Sequence, residues 1–389
     1  MLLYSPEKQV AAAAEPTIAA DLRVLHVGKF YPPYLGGMET HLQSLCENLS
    51  RSVAVQVLVA NEDRRSVTEV VQGVEVTRLG TWLNVAAAPL CPGLVGAMRR
   101  AQADLVHLHL PNPAAVMAYL ASGQRGRLVV TWHSDVIRQK LLSRAFAPIL
   151  HRLLNRCDAV IATSPPYLDG SPELSAYRDR CCVIPFGIPL DEFRRRDAEA
   201  AMRIRARYGS RLIMSVGRMV YYKGFEYLIR AMQRIDGCLL LVGDGPLRLQ
   251  LEAEAWRCGV RDRVVFLGKL SQAEMIDHYH AADVFALPSI ARSEAFGIVQ
   301  LEAMACGKPV INTQLDSGVP FVSRDRETGL TVPPADAEAL AGAINLLLDD
   351  AALRAAYGKA ALRRVQNEFE LQVMVRRMLE LYAQVMAGV

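Results

Sequence analysis

The sequence predicts an α/β protein of two doubly wound, Rossmann-like domains in series, and three observations lead there. The chain has 389 residues, too many for one ordinary domain and suited to two. Short apolar, β-branched runs alternate with stretches of helical period along its length. The alternation pauses once, at PFGIPLDEFRRRDAEAAMRIRARYGS (185–210), an Arg-rich segment opened by Pro and Gly.

The runs LRVLHVG (22–28), VAVQVLVA (53–60), DLVHLHL (104–110), RLVVTWH (127–133) and AVIATS (159–164) are apolar on both faces, as strands inside a parallel sheet are. METHLQSLCENLS follows the first of them at helical period. These place an N-terminal domain at 21–190 and a linker at 191–208. A second set, RLIMSVG (211–217), CLLLVG (238–243), RVVFLG (263–268), DVFALPS (283–289) and KPVINT (308–313), places a C-terminal domain at 209–370. Residues 371–389 form a last helix, expected to return toward the N-terminal domain. The opening MLLYSPEKQVAAAAEPTIAA lacks a basic start and is interrupted by Glu15 and Pro16, so residues 1–20 read as a loose leader rather than a secretory signal. Ligands of such sheets collect beyond the carboxyl ends of the strands. Two sheets facing each other would line a cleft with those edges.

With 51% hydrophobic and 22% charged residues, the composition excludes a disordered chain. A net charge of +4 is too mild to argue for nucleic acid and suits an anionic ligand or an anionic membrane surface. The eight cysteines show neither C-x-x-C nor zinc spacing and read as buried thiols of a reducing compartment. No run approaches the ~18 apolar residues of a membrane span. A cytoplasmic protein is expected.

The unusual residues lie in loops that follow strands. In GKFYPPYLGGMETHL, Gly36 and Gly37 precede a helix, where backbone N–H groups can approach an anion; a tight βα turn explains the same glycines. In TWHSDV, His133 and Asp135 stand at a strand's carboxyl edge. In SVGRMVYYKGFEYLI, Arg218 and Lys223 suit a diphosphate, as a planar fork and a point charge, although two surface cations would look alike. LVGDGP carries only G-x-G and is read as a structural turn, not a dinucleotide fingerprint. In SEAFGIVQLEAMACGKPV, a helix is expected to begin at about Phe296 to Ile298 and to end before Gly307. Glu294 precedes it and Glu302 lies inside it, so two carboxylates flank the free N–H groups of Phe296, Gly297 and Ile298. Sugar hydroxyls, a diphosphate and ribose hydroxyls fit that order. A carboxylate favouring the helix dipole, with a polar residue further along, is the plainer explanation.

In order along the chain, GGMETHL, TWHSD, SVGRMVYYKGFEYLI, LVGDGP, VVFLGKLS, SEAFGIVQLEAMACGKPVI and ETGLTVPP resemble the retaining, sugar-nucleotide-dependent glycosyltransferases of family 4, with the GT-B fold, over residues 22 to 389. The resemblance implies that Glu294 binds donor-sugar hydroxyls, and that the main chain of Phe296, Gly297 and Ile298 lines sugar and phosphates. It implies that Glu302 holds the ribose and that Arg218 and Lys223 neutralise the diphosphate. Gly36 and Gly37 would touch that phosphate, His133 would sit near the reacting centre, and the base would lie near Gly268, Lys269 and Leu270. One segment departs: NTQLDSGVPFVS stands where many members have Gly-Gly-x-Pro-Glu, with Ser317 for the first Gly and Phe321 for the Glu. That loop is left out of the site.

The implied reaction is hexosyl transfer with retention, in which the leaving phosphate helps to deprotonate the acceptor. No D-x-D pair is present, so neither a metal nor another cofactor is expected. The donor is expected to be a GDP-sugar of mannose or rhamnose type, and the acceptor a glycan or lipid-linked saccharide of bacterial polysaccharide assembly, with no nucleic acid involved. A UDP-sugar transferase, a sugar-nucleotide epimerase and a catalytically silent assembly subunit are the alternatives. IRQKLLSRAFAPILHRLLNR (137–156) interleaves basic and apolar residues. It fits peripheral contact with an anionic membrane, at the inner face of the cytoplasmic membrane, or a packing helix with one basic face. Pro148 argues against one long helix there.

Overall fold

The computed structural model describes residues 21–34, 36–85, 88–135 and 140–388. The chain divides into two compact units, Met1–Phe186 with Leu371–Val389, and Gly187–Glu370. The leader assigned to residues 1–20 lies outside the described residues.

The first unit is built on strands β1 (Arg23–Val27), β2 (Ala54–Ala60), β3 (Val67–Val71) and β4 (Val74–Leu79), the small hairpin β5 (Leu83–Val85) and β6 (Ala88–Leu90), then β7 (Leu105–Leu110), β8 (Arg127–Trp132), β9 (Ala159–Ala162) and β10 (Cys181–Val183). The eight-stranded sheet runs β10-β9-β8-β7-β1-β2-β4-β3. All its pairings are parallel except that of the edge strand β3 with β4. β7 is buried along its whole length, which is why it reads as a continuous apolar run interrupted only by His107 and His109. The C-terminal helix Leu371–Ala387 belongs to this unit, as expected. Its Leu371, Met374, Val375, Met378, Leu381, Tyr382 and Val385 share a core with Leu42, Leu45 and Leu49 of the helix Gly37–Leu49. At ~1.5–3 kcal/mol for each large apolar side chain buried, that stripe is strongly held.

The second unit contains β11 (Leu212–Val216), β12 (Cys238–Val242), β13 (Val264–Gly268), β14 (Val284–Ala286), β15 (Val310–Thr313) and β16 (Gly329–Val332), in the all-parallel order β13-β12-β11-β14-β15-β16. The order reverses between β11 and β14, so the loops leaving these two strands part at the carboxyl edge.

Two local expectations change. Residues 191–208 hold parts of two helices, Leu190–Arg194 and Ala198–Tyr208, inside the second unit. Arg205 bonds the Ala281 carbonyl at 2.6 Å and pairs with Asp283 at 3.1 Å, so the Arg-rich run is docked rather than a free linker. Pro148 does not break its helix, which runs from Lys140 to Leu154. Arg144 and Pro148 are both exposed, so the carbonyl that loses its N–H partner lies on the wet side of the helix.

Candidate functional site

The loops after β11 and β14 meet because the two strands pair, Met214 beside Phe285. β11 ends at Gly217, whose φ of +156° disfavours a side chain; a Cβ there would stand 2.9 Å from Lys223 Cε. The missing side chain leaves a path for the lysine. Lys223 closes the turn Tyr221–Lys223, and Gly224 follows at φ +65°, against the Pro288 carbonyl oxygen, 2.1 Å from where a Cβ would be. The Ile290 N–H bonds the Tyr222 carbonyl at 2.8 Å and ties the two loops together.

Lys223 Nζ lies 2.6 Å from Glu294 Oε2, with both residues buried, at 7% and 8% exposure. Ser289 Oγ donates to the same carboxylate oxygen at 3.0 Å. Arg218 is exposed at the end of β11. Its charge and that of Lys223 both act on the Tyr222 hydroxyl, which burial pushes above its ordinary range and these cations pull back.

Three residues beyond Glu294, Gly297 at φ +75° caps the helix Ile298–Ala305 without any side-chain cap. The helix therefore starts and ends within the expected bounds, and its first N–H groups are left to other partners. The Phe296 ring is buried edge-on to Phe369, 6.1 Å between centroids, which leaves only its main chain to meet a ligand. Gln300 fixes this start: its amide bonds the Phe296 carbonyl at 3.2 Å and accepts from Asn312 at 2.9 Å. Glu302, one turn further, accepts from the Tyr279 hydroxyl at 2.7 Å. Burial raises its carboxyl above the usual range, while the Tyr279 bond and the charge of Lys223 pull it down. Lys223 thus acts on both glutamates of the motif.

Gly268 ends β13 at φ +72°, and its carbonyl accepts from the Gly243 N–H at 2.7 Å. Lys269 is exposed and Leu270 half-buried, just before the capping box of Ser271 and Glu274. Phe321, of the segment left out of the site, packs edge-on to Phe369 under the Arg364 guanidinium.

In the first unit, Gly36 is the extended N-cap of the helix Gly37–Leu49. A Cβ on Gly36 would strike Glu39 Oε2 at 2.2 Å, so the glycine makes room for an acid in the first turn. Burial raises the Glu39 carboxyl, against its own N–H and Lys29. The helix start expected to meet phosphate therefore already faces a carboxylate. A small pocket lined by Lys29, Phe30, Glu39, Leu42, His109 and Pro111 opens beside it.

His133 follows β8 and is buried, with Nε2 2.9 Å from His109 Nδ1. Burial lowers its pKa to about 3, so the ring is neutral. Its Nδ1 has no hydrogen-bond partner among the described residues. Asp135, two residues on, is occupied structurally: its carboxylate accepts from Trp132 Nε1 at 2.9 Å and from Ser171 Oγ at 3.0 Å.

Sequence reasoning missed Ser289, Tyr279, Glu39 and His109. Glu39 was legible, as an acid three residues after a glycine N-cap. Ser289 and Tyr279 become partners only through the fold.

Residues 198–364 match the family described as Glycosyl transferases group 1, and residues 35–192 that described as Glycosyltransferase Family 4. The chain is 30% identical to O-antigen chain mannosyltransferase C of Escherichia coli, over 93% of this chain and 98% of that protein. It is 33% identical to D-rhamnosyltransferase WbpZ of Pseudomonas aeruginosa, over 90% and 92%. Among solved structures, sucrose-phosphate synthase from Thermosynechococcus elongatus superposes with a TM-score of 0.80 at 26% identity, over 95% of this chain and 100% of the other.

Proposed function

The chain belongs to the family 4 glycosyltransferases of GT-B fold, and from that premise we propose that it moves a mannose- or rhamnose-type hexose, with retention, from a GDP-sugar to a glycan or lipid-linked saccharide of cell-surface polysaccharide. Its relatives' names, a mannosyltransferase of the O-antigen chain and a D-rhamnosyltransferase, support the sugar class.

The observation that carries the site is the buried Lys223–Glu294 pair, set three residues before an uncapped helix start. A bound diphosphate takes Lys223 and Arg218, and the sugar hydroxyls take Glu294. The N–H groups at Gly297 and Ile298 face the phosphate, and Glu302 holds the ribose. The cations and the helix start supply preorganised charge for the leaving diphosphate, so a metal-independent reaction is proposed. The leaving phosphate assists deprotonation of the acceptor, and no enzyme nucleophile is assigned. His133, Gly36 and Gly37 enter on the family resemblance, His133 at the donor sugar and the glycines at the phosphate; the base is placed at Gly268–Leu270 on the same ground.

No helix among the described residues is long and apolar enough to cross a membrane. The helix Lys140–Leu154 exposes Arg144, Ile149 and Arg152 and is proposed as a peripheral contact with anionic lipid at the cytoplasmic face. Residues 137–139 of that basic segment lie outside the described residues.

The test is a panel of GDP- and UDP-sugars scored for thermal stabilisation and slow donor hydrolysis. GDP-mannose or GDP-rhamnose is expected to give the largest shift. A larger shift from a UDP-sugar would replace the donor, and stabilisation by none would remove the transferase site as drawn.

A further inference from the structure

Five of the chain's eight histidines, His26, His41, His107, His109 and His133, lie buried in the first unit. Four of them form one continuous hydrogen-bonded chain with Tyr382. His133 Nε2 meets His109 Nδ1 at 2.9 Å, and His109 Nε2 meets His26 Nδ1 at 3.0 Å. His26 Nε2 meets the Tyr382 hydroxyl at 3.3 Å, that hydroxyl meets His107 Nδ1 at 2.6 Å, and His107 Nε2 meets Thr131 Oγ1 at 2.7 Å. The strand register places His26 beside His107, and the C-terminal helix delivers Tyr382.

His26, His107 and His109 bring one nitrogen each within 4.8 Å of one another, a spacing that could suit a cation. Every nitrogen of the three is already engaged, however, with another imidazole, Tyr382 or Thr131. A cation would have to break the chain that the geometry builds.

A neutral imidazole has one donor and one acceptor, so each ring's tautomer dictates the next. Tyr382 sets the direction. A phenol hydroxyl donates in its short bond, which is the 2.6 Å contact to His107 Nδ1. His107 then carries its hydrogen on Nε2 and gives it to Thr131. At the longer, 3.3 Å contact His26 Nε2–H donates to the phenol oxygen. His26 Nδ1 therefore accepts from His109 Nε2–H, and His109 Nδ1 accepts from His133 Nε2–H. The chain ends on the bare Nδ1 of His133, the atom without a partner among the described residues. Burial keeps these rings neutral, as the scheme requires.

We propose that His109, His26 and Tyr382 are positioning residues that fix His133 as its Nε2–H tautomer, so that Nδ1 meets the ligand as a hydrogen-bond acceptor for a sugar hydroxyl. The ligand half rests on the reading of His133 as a donor-sugar residue. His133 then orients a hydroxyl and has no proton to give to a leaving phosphate.

The test uses the full chain with ¹⁵N-labelled histidine, long-range ¹H–¹⁵N spectra at pH 7.5, and the variant Tyr382→Phe. In the wild type, His26, His107, His109 and His133 are expected to be Nε2–H, with every Nδ1 unprotonated. In Tyr382→Phe, His26 and His133 should become tautomer mixtures while His41, which shares no hydrogen bond with the chain, stays unmoved. Because only the competent tautomer binds, kcat/KM for the donor should fall about two- to tenfold. His133 protonated at Nδ1 in the wild type, its tautomer unmoved in the variant, or stoichiometric zinc retained by the purified protein would each overturn the proposal. The wild-type spectrum decides alone if the variant does not fold. The stated tautomers in a protein inactive on every nucleotide sugar would uphold the chain and refute the transferase reading.

Discussion

Acid should unfold the first unit well before carboxylates titrate in bulk. Burial holds His26 and His133 at about 3 and lowers His41, His107 and His109 well below the usual histidine value. A folded-state value below the unfolded one means that the unfolded chain binds more protons. The stability these rings contribute is therefore complete above pH ~6.5 and drains as the pH falls from there toward ~3. At pH 5.5 an unfolded histidine is about 90% protonated while the buried one stays neutral, a loss of roughly 1 kcal/mol per ring and on the order of 5 kcal/mol for the cluster. Glu39, whose carboxyl is raised, acts in the opposite sense and offsets part of the loss. A loss of this size rivals the ~5–15 kcal/mol that usually holds a domain together. The assay is urea denaturation of a Trp256→Phe variant, which leaves Trp82 and Trp132, both in the first unit, as fluorophores. Trp256 is 76% exposed, so its removal should be silent. With an m value of ~2 kcal/mol/M, the midpoint should fall by roughly 2–3 M between pH 7.5 and 5.5, less the Glu39 offset. A shift below ~0.5 M would refute the neutral, buried histidine cluster.

Two substitutions test the second unit. Lys223→Met leaves Glu294 buried with the Ser289 hydroxyl as its remaining side-chain partner among the described residues and should cost ~3–5 kcal/mol, whereas Lys223→Met with Glu294→Gln should recover most of that by denaturation, and neither should transfer sugar. Transfer by the double variant would dismiss both residues from the chemistry. Gly297→Ala forces a side chain into the left-handed region and against Leu287 and Gln300, so ~1–3 kcal/mol of stability and a lower kcat/KM should go together; unchanged values for both would mean that the helix start has slack.

Except for the peripheral β3–β6, β10 and β16, strands and their order along the chain were legible, because strands buried on both faces must be apolar. Adjacency was not. Lys223 and Glu294 meet because β14 pairs with β11 across the switch point, and strand order leaves no local mark in the sequence. The helix after Gly297 was legible from its glycine and apolar period, but not that the Phe296 ring faces inward to Phe369. Pro148 misled because a proline's cost depends on whether the freed carbonyl can reach water, which the sequence does not state. The histidine chain did leave a trace: His107 and His109, two apart in an apolar strand, must share one face of the sheet. What the trace lacked was Tyr382, 275 residues away from His107.

The Lys223–Glu294 pair gains its meaning from the cost of burying it. Two desolvated charges seldom stabilise a fold more than apolar side chains of the same shape would, so stability alone is a poor reason to keep them. What the pair does is hold a cation and an anion 2.6 Å apart without leaving either uncompensated. On the proposed function, a nucleotide sugar brings the complement of both: oxygens for the lysine and hydroxyls for the glutamate. Separating the pair then exposes no bare charge, provided that phosphate and sugar arrive together. A ligand offering the phosphate alone would claim Lys223 and strand Glu294, and a free sugar would do the reverse. The buried pair thus favours the intact donor over either half through the unpaired charge that each half leaves behind.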